Sequence, residues 1–70
     1  MLHVISVAAR HIRVKAVFDF EAAQVGDLSF KTGDIIITDG ESWGVDGWVT
    51  GTCHGQTGSF PSNYTERVDA

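Results

Sequence analysis

The sequence predicts a single all-β domain, folded as a compact barrel or sandwich. Its 70 residues leave room for one domain. Short segments rich in β-branched and aromatic residues alternate with glycine-containing turns, a spacing typical of small barrels and sandwiches. The chain has one proline, so little in it would block the pairing of strands. These patterns together indicate five short strands.

Two of these strands fall in the first half of the chain. Residues 14–18 combine small, β-branched and aromatic side chains, as a partly buried strand does. Residues 35–38 are a β-branched run that is too short for a helix. Between them, residues 28–31 give a further strand signal, because apolar and polar side chains alternate and Leu28 and Phe30 should face one side. Thr-Gly-Asp at residues 32–34 indicates a turn.

The second half of the chain contains the other three strands. After a loop of about eight residues around Trp43, residues 48–53 form a strand. Gly55 allows a tight hairpin to its partner at residues 57–60, because glycine readily adopts a positive φ. Pro61 then ends the pairing, since it has no N–H to donate. We predict one 3₁₀ turn over residues 62–64 and a last strand over residues 65–68.

The predicted strands define a core and leave the two ends of the chain outside it. We divide the chain into an N-terminal extension over residues 1–13, disordered or weakly packed, a domain over residues 14–68 and a tail of two residues. The alternative is that the apolar residues of the extension prolong the first strand; these are Val4, Ile5, Val7 and Ile12. The core candidates are Val14, Ala16, Leu28, Phe30, Ile36, Gly51 and Phe60.

Charge and cysteine content restrict the class of partner. Five basic and nine acidic residues give a net charge of −4, which would repel a phosphate backbone and suits basic peptides better. We therefore expect no nucleic acid partner. The single cysteine, Cys53, allows no internal disulfide, so we predict a cytoplasmic location. No apolar run is long enough to insert into a membrane.

The sequence lacks the residue groupings of an enzyme or a metal protein. His3, His11 and His54 are scattered, and no Cys-x-x-Cys or His-x-x-x-His spacing indicates a metal site. Cys53 and His54 are adjacent, and neighbours on a strand point to opposite faces, so they are expected to make a poor catalytic or metal-binding pair. No glycine-rich loop precedes a helix, as phosphate binding would require. We predict no catalysis, no cofactor and no metal.

Four segments in order resemble the motifs of SH3 domains, at the spacing that the family shows. They are Ala16-Val17-Phe18-Asp19-Phe20, residues 27–34 (Asp-Leu-Ser-Phe-Lys-Thr-Gly-Asp), Gly47-Trp48-Val49-Thr50-Gly51 and residues 55–64, which end in Pro-Ser-Asn-Tyr. The resemblance covers residues 14–68. It implies an SH3-like small barrel of five short antiparallel strands, with one 3₁₀ turn before the last strand.

The resemblance also implies a non-catalytic module that binds proline-rich peptides. Such peptides adopt the polyproline II helix, which has about three residues per turn, no internal hydrogen bonds and free carbonyls. Aromatic walls grip the proline rings, and side-chain donors bind the carbonyls. By resemblance, Phe18 and Tyr64 would wall one pocket. The next pocket would be walled by Phe20, Trp48, Pro61 and Tyr64.

Polar side chains complete the site that the resemblance implies. The Asn63 amide, with the Trp48 indole and the Tyr64 hydroxyl, would donate to ligand carbonyls. Asp27 lies where the family places a carboxylate that pairs with an Arg or Lys of the ligand. Secondary contacts are expected from Glu21, Trp43 and Asp46; a loop tryptophan folded against the barrel is the alternative for Trp43.

The sequence departs from the family pattern at several positions. Phe18 and Phe20 stand in place of tyrosines, and each lost hydroxyl would cost about 0.5–1.5 kcal/mol if it bonded the ligand. Residues 24–26 carry no carboxylate, which leaves Asp27 with less help from other acids. Thr65 occupies a position that is usually apolar. We therefore expect aromatic packing to outweigh polar anchoring.

Two roles stay open for such a module. The first is an adaptor in signalling, or in a cytoskeletal or endocytic scaffold, whose groove holds proline-rich segments and which is a monomer in isolation. The second is an assembly or autoinhibitory domain. In that role the groove would bind a folded partner, its own parent chain or a second copy.

Overall fold

The structure, a computed structural model, describes residues 11–43 and 47–68, and these residues form one five-stranded antiparallel sheet. The strands follow the order β4-β3-β2-β1-β5 across the sheet, and a single 3₁₀ turn, Ser62–Tyr64, precedes the last strand. The strands are β1 His11–Ala16, β2 Ile35–Asp39, β3 Trp48–Cys53, β4 Gln56–Pro61 and β5 Thr65–Arg67. The predicted fold class is confirmed.

Strand β1 begins three residues earlier than the predicted start at Val14. Residues 11–13 therefore lie in the sheet, in agreement with the alternative in which Ile12 prolongs the first strand. The reason is that Ile12 continues the inward face of Val14 and Ala16, and all three side chains are buried. Val4, Ile5 and Val7 lie outside the described residues, and the proposed division of the chain stays a prediction.

Residues 27–30 form two isolated bridges rather than a regular strand. Phe30 pairs with Phe20 within the long loop between β1 and β2, and Asp27 pairs with Ser59 of β4. Leu28 and Phe30 are both buried, as their alternation predicts. This segment thus ties the long loop between β1 and β2 to the end of β4.

The core lies on the inner face of the curved sheet. All seven core candidates are buried, and Ile12, Val49 and Cys53 complete the apolar cluster. Phe30 and Phe60 meet edge to face with ring centroids 5.7 Å apart. At Gly51 an added Cβ would lie 2.8 Å from Phe60 and from Ile36, so glycine is required for this close packing.

The turn between β3 and β4 contains two residues with positive φ. Cys53 pairs with Gln56, and the intervening His54 and Gly55 have φ values of 54° and 80°. Two such residues give the turn whose twist matches that of the flanking strands. The predicted tight hairpin is therefore present, and regular strand geometry ends at Cys53.

Helical structure contributes little to this part of the chain. Across residues 11–43 and 47–68, we find no helix with the length and apolar character needed to span a bilayer.

Candidate functional site

Four aromatic side chains lie in a continuous row on the barrel surface. Along this aromatic row the ring centroids are separated by 5.5 Å from Phe18 to Tyr64, 5.7 Å from Tyr64 to Phe20 and 5.8 Å from Phe20 to Trp48. Each contact is edge to face, the geometry that aromatic quadrupoles favour. Phe18 is 58% exposed and Trp48 is 53% exposed. The row is therefore an exposed apolar surface, with a depression beside Phe18 and Tyr64.

The backbone holds each ring of the row in place. Phe20 exchanges two backbone hydrogen bonds of 2.9 Å with Phe30, whose ring is in the core. The Val17 N–H donates to the Tyr64 carbonyl at 2.8 Å, which fixes the first strand against the 3₁₀ turn. Trp48 points outward because it precedes the inward Val49.

Pro61 and Asn63 lie beside the aromatic row. Pro61 ends β4 directly opposite Trp48, so its ring is placed next to the indole. Asn63 precedes Tyr64 in the 3₁₀ turn and is exposed. The structure thus brings together six of the seven predicted peptide-binding residues on one surface.

Three hydrogen-bond donors on this surface are unoccupied within the protein. In the part of the chain that the structure describes, the Trp48 indole, the Tyr64 hydroxyl and the Asn63 amide make no intramolecular hydrogen bond. A ligand carbonyl can therefore replace water at each donor without breaking a bond of the fold.

Asp27, the seventh residue, lies at the edge of this surface. It is partly buried and forms a bridge with Ser59, two residues before Pro61. The Leu28 N–H donates to the Ser59 carbonyl at 2.8 Å, and the Ser59 N–H donates to the Gly26 carbonyl at 2.9 Å. These bonds fix the backbone on both sides of Asp27 against β4.

Sequence reasoning missed one polar pair beside the aromatic row. Asp19 and Thr32 line a shallow depression together with Phe18 and Tyr64. The Asp19 carboxylate accepts a 2.7 Å hydrogen bond from the Thr32 N–H and a 2.9 Å bond from its hydroxyl. The backbone bond, followed by the hydroxyl bond, holds the pKa of Asp19 below its usual value of 3.8. The sequence feature that could have indicated Asp19 is its position between Phe18 and Phe20, two predicted walls of the site.

The predicted secondary contacts lie in different places. Glu21 is exposed and lines a neighbouring depression with Phe20 and Ser29. Asp46 lies outside the described residues. Trp43 is partly buried and packs against the core cluster.

Trp43 and Thr65 form a hydrogen-bonded pair. The Trp43 indole N–H donates to the Thr65 hydroxyl at 2.9 Å, and that hydroxyl donates to the Ser62 carbonyl at 2.7 Å. Thr65 is buried, so its hydroxyl requires such partners. The loop tryptophan thus supplies the hydrogen-bond donor that the buried threonine hydroxyl needs at this usually apolar position.

We expect Thr65→Val to lower the free energy of unfolding by about 1–2 kcal/mol, because it removes both hydrogen bonds of this pair. Urea unfolding measures the change. Thr50→Val is the matched control, since Thr50 is exposed on β3. In a double-mutant cycle with Trp43→Phe, the two losses should be non-additive. Additive losses would show that the indole and the hydroxyl do not interact.

Comparisons with known proteins agree with this architecture. Residues 16–66 match the family model described as "Variant SH3 domain". The C-terminal SH3 domain of myosin IB from Entamoeba histolytica, bound to the EhFP10(GEF) peptide, superposes with a TM-score of 0.74. It shares 36% sequence identity, over 87% of this chain and 98% of that one. The Acanthamoeba myosin I SH3 domain, bound to Acan125, gives a TM-score of 0.71 at 37% identity, over 81% and 95%.

Curated relatives contain the same domain within much longer chains. The chain is 48% identical over 63 residues to the class E vacuolar protein-sorting machinery protein hse1 of Schizosaccharomyces pombe, covering 90% of this chain and 16% of hse1. It is 39% identical over 61 residues to mouse intersectin-2, covering 87% of this chain and 4% of that protein. SH3 domains are non-catalytic protein-interaction modules. Because the family model matches residues 16–66, which are more than half of the chain, the chain belongs to the SH3 domain family.

Proposed function

We propose that this domain binds proline-rich segments in the polyproline II conformation along the aromatic row. The observation that carries the proposal is the row itself, with the three unoccupied donors beside it. A polyproline II helix rises about 9 Å per turn and leaves its carbonyls free. Proline rings would pack between the aromatic rings, and the donors would bind the carbonyls.

The first pocket of the proposed site lies between Phe18 and Tyr64. The second lies between Phe20 and Trp48, with Pro61 as a further wall. Phe18 contributes no hydroxyl to this pocket, and its other polar side chains, Asp19 and Thr32, are hydrogen-bonded to each other. Binding there would depend mainly on ring packing.

Asp27 is proposed to read an Arg or Lys of the ligand. The backbone that carries it is fixed by β4, so this part of the loop need not be ordered on binding. The net charge of −4 favours a basic ligand over an acidic one. An Arg at this place would also stack on the indole of Trp48. Glu21, Trp43 and Asp46 are proposed as secondary contacts.

Two related SH3 domains have been solved with a bound partner. The myosin IB domain of Entamoeba histolytica is bound to the EhFP10(GEF) peptide, which supports a peptide ligand, and the Acanthamoeba myosin I domain is bound to Acan125. For this chain we propose a monomeric module in the cytoplasm whose ligand belongs to another protein or to its own parent chain. We expect dissociation constants on the order of micromolar, about −8 kcal/mol.

The test is a titration of Pro-x-x-Pro peptides, with Arg placed before or after the prolines, followed by amide chemical shifts. Trp48→Ala should weaken binding by at least roughly thirtyfold, which corresponds to about 2 kcal/mol. Ile37→Ala is the control, because Ile37 is an exposed apolar residue on β2 outside the aromatic row. Shifts that map away from Trp48 and Tyr64, or equal binding by Trp48→Ala, would contradict the proposal.

Asp27→Asn tests the basic anchor separately. It should remove the preference for a peptide with Arg over the same peptide with Ala at that position. Binding of the proline core should persist. If the preference is unchanged, Asp27 does not read the basic residue.

A further inference from the structure

Three potential metal ligands meet where the β3–β4 turn approaches the residue that precedes β2, and two of them line the depression that also contains Phe20. They are Asp34, Cys53 and His54, and one ligand atom from each lies within 4.8 Å of the others. The imidazole Nε2 of His54 is 3.2 Å from the carboxylate Oδ2 of Asp34. We call this group the Asp–Cys–His cluster.

The turn geometry brings the members of this cluster together. Cys53 and His54 would point to opposite faces only if both were strand residues. His54 has a φ of 54° and lies beyond the end of β3, in the two-residue turn. Alternation therefore stops at Cys53, and the imidazole turns to the same side as the thiol.

We propose that Asp34, Cys53 and His54 bind a Zn²⁺ ion, with water as the fourth ligand. A thiolate, an imidazole and a carboxylate are the three side-chain groups that Zn²⁺ takes in proteins. Zinc bond lengths of about 2.0–2.3 Å place tetrahedral ligand atoms about 3.4–3.6 Å apart. The cluster atoms lie within 4.8 Å of each other, so closure requires shifts of about 1 Å.

One ligand of the cluster is held in place by hydrogen bonds, and another is exposed to the solvent from which an ion would enter. Asp34 is held by its turn, because its Oδ2 accepts a 3.0 Å bond from the Lys31 N–H and its own N–H donates to the Lys31 carbonyl at 2.9 Å. A carboxylate positioned by such a bond needs little reordering. The His54 side chain is 73% exposed and can admit the ion from solvent.

The Cys53 thiol is the buried member of the cluster. The residue is 4% exposed, and within the described part of the chain its sulfur has no hydrogen-bond partner. Burial and, secondarily, the charge of Asp34 raise the pKa of this thiol, so it is protonated before an ion binds. Coordination replaces the thiol proton by the metal and releases it to solvent.

The test uses the whole chain, reduced and freed of metal, and titrates it with Co²⁺ and then with Zn²⁺. Co²⁺ bound to a thiolate gives a charge-transfer absorption in the near ultraviolet that carboxylate or imidazole ligands alone do not give. We expect this band at one ion per chain and its loss when Zn²⁺ displaces Co²⁺. Zn²⁺ should also raise the midpoint of thermal unfolding, because it binds the folded state.

Single substitutions test whether the charge-transfer band arises from the Asp–Cys–His cluster. Cys53→Ala should abolish it, and His54→Asn and Asp34→Asn should each weaken Zn²⁺ binding at least about tenfold. Asn tolerates the positive φ at position 54 and retains an acceptor for Lys31 at position 34. The control is a double variant, His3→Asn with His11→Asn, which replaces the other two of the three histidines and should bind Zn²⁺ like the unaltered chain.

Three results would overturn the proposal. They are the absence of a charge-transfer band at millimolar Co²⁺, unchanged Zn²⁺ affinity in His54→Asn, and loss of binding in the double histidine control. If Cys53→Ala fails to fold, His54→Asn decides, because its exposed side chain is not part of the core.

Discussion

We expect Phe60→Ala to lower the free energy of unfolding by about 3–5 kcal/mol. Phe60 is fully buried at the centre of the apolar cluster, where its ring meets that of Phe30. Truncation removes the ring and leaves a cavity that the sheet cannot close. A chain of this size has a total stability of about 4–10 kcal/mol, so the variant should be largely unfolded at modest urea concentrations.

Phe18→Ala is the matched control, because the same atoms are removed from a ring that is 58% exposed. We expect it to cost about 1 kcal/mol, mainly through the lost contact with Tyr64, and to weaken peptide binding instead. The two phenylalanines should therefore separate stability from binding. Equal destabilisation by the two substitutions would contradict the burial pattern.

We expect Gly58→Ala to destabilise the domain by about 1–3 kcal/mol and to disturb the position of Asp27. An added Cβ at Gly58 would lie 2.7 Å from the Gly26 carbonyl oxygen, 2.9 Å from the Asp27 carbonyl carbon and 2.9 Å from the Leu28 nitrogen. All three are backbone atoms, so no side chain can rotate away. The long loop that carries Asp27 must move instead.

The measurement for Gly58→Ala combines urea unfolding with titration of an Arg-containing proline peptide and its Ala counterpart. Besides the lost stability, the preference for Arg should fall as it does in Asp27→Asn. Gly47→Ala is the control, because a Cβ there would meet no atom within 4 Å. If Gly58→Ala keeps full stability, the close approach of the loop to β4 does not occur.

The sequence sufficed to predict the strands because their signals are local. Alternation in Trp48-Val49-Thr50 and the glycine after His54 each constrain their own neighbourhood, and the strand and the turn appear where predicted. Buried positions followed from the same alternation. For the start of β1 the sequence left two alternatives, because whether Ile12 prolongs the strand is decided by its pairing with Thr38 of β2.

The parts that could not be predicted depend on contacts between distant segments. Trp43 and Thr65 are 22 residues apart, and their hydrogen bond becomes visible only once the barrel places them together. Asp34 and His54 meet for the same reason, across the space between two turns. The aromatic row was anticipated because the resemblance to SH3 domains supplies the contacts that pattern alone lacks.

The pairing of β1 with β5 has a mechanical consequence. Val14 lies opposite Arg67 and Ala16 opposite Thr65, and the Val68 N–H donates to the Arg13 carbonyl. The beginning of β1 and the end of β5 are thus at the same end of an antiparallel pair. Tension applied at that end breaks the hydrogen bonds between β1 and β5 one after another. This requires a lower force than pulling the strands past each other, which loads all the bonds at once. Peeling would proceed from Arg13 toward the bond between Val17 and Tyr64, so a stretched chain would lose the edge of its aromatic row before its core.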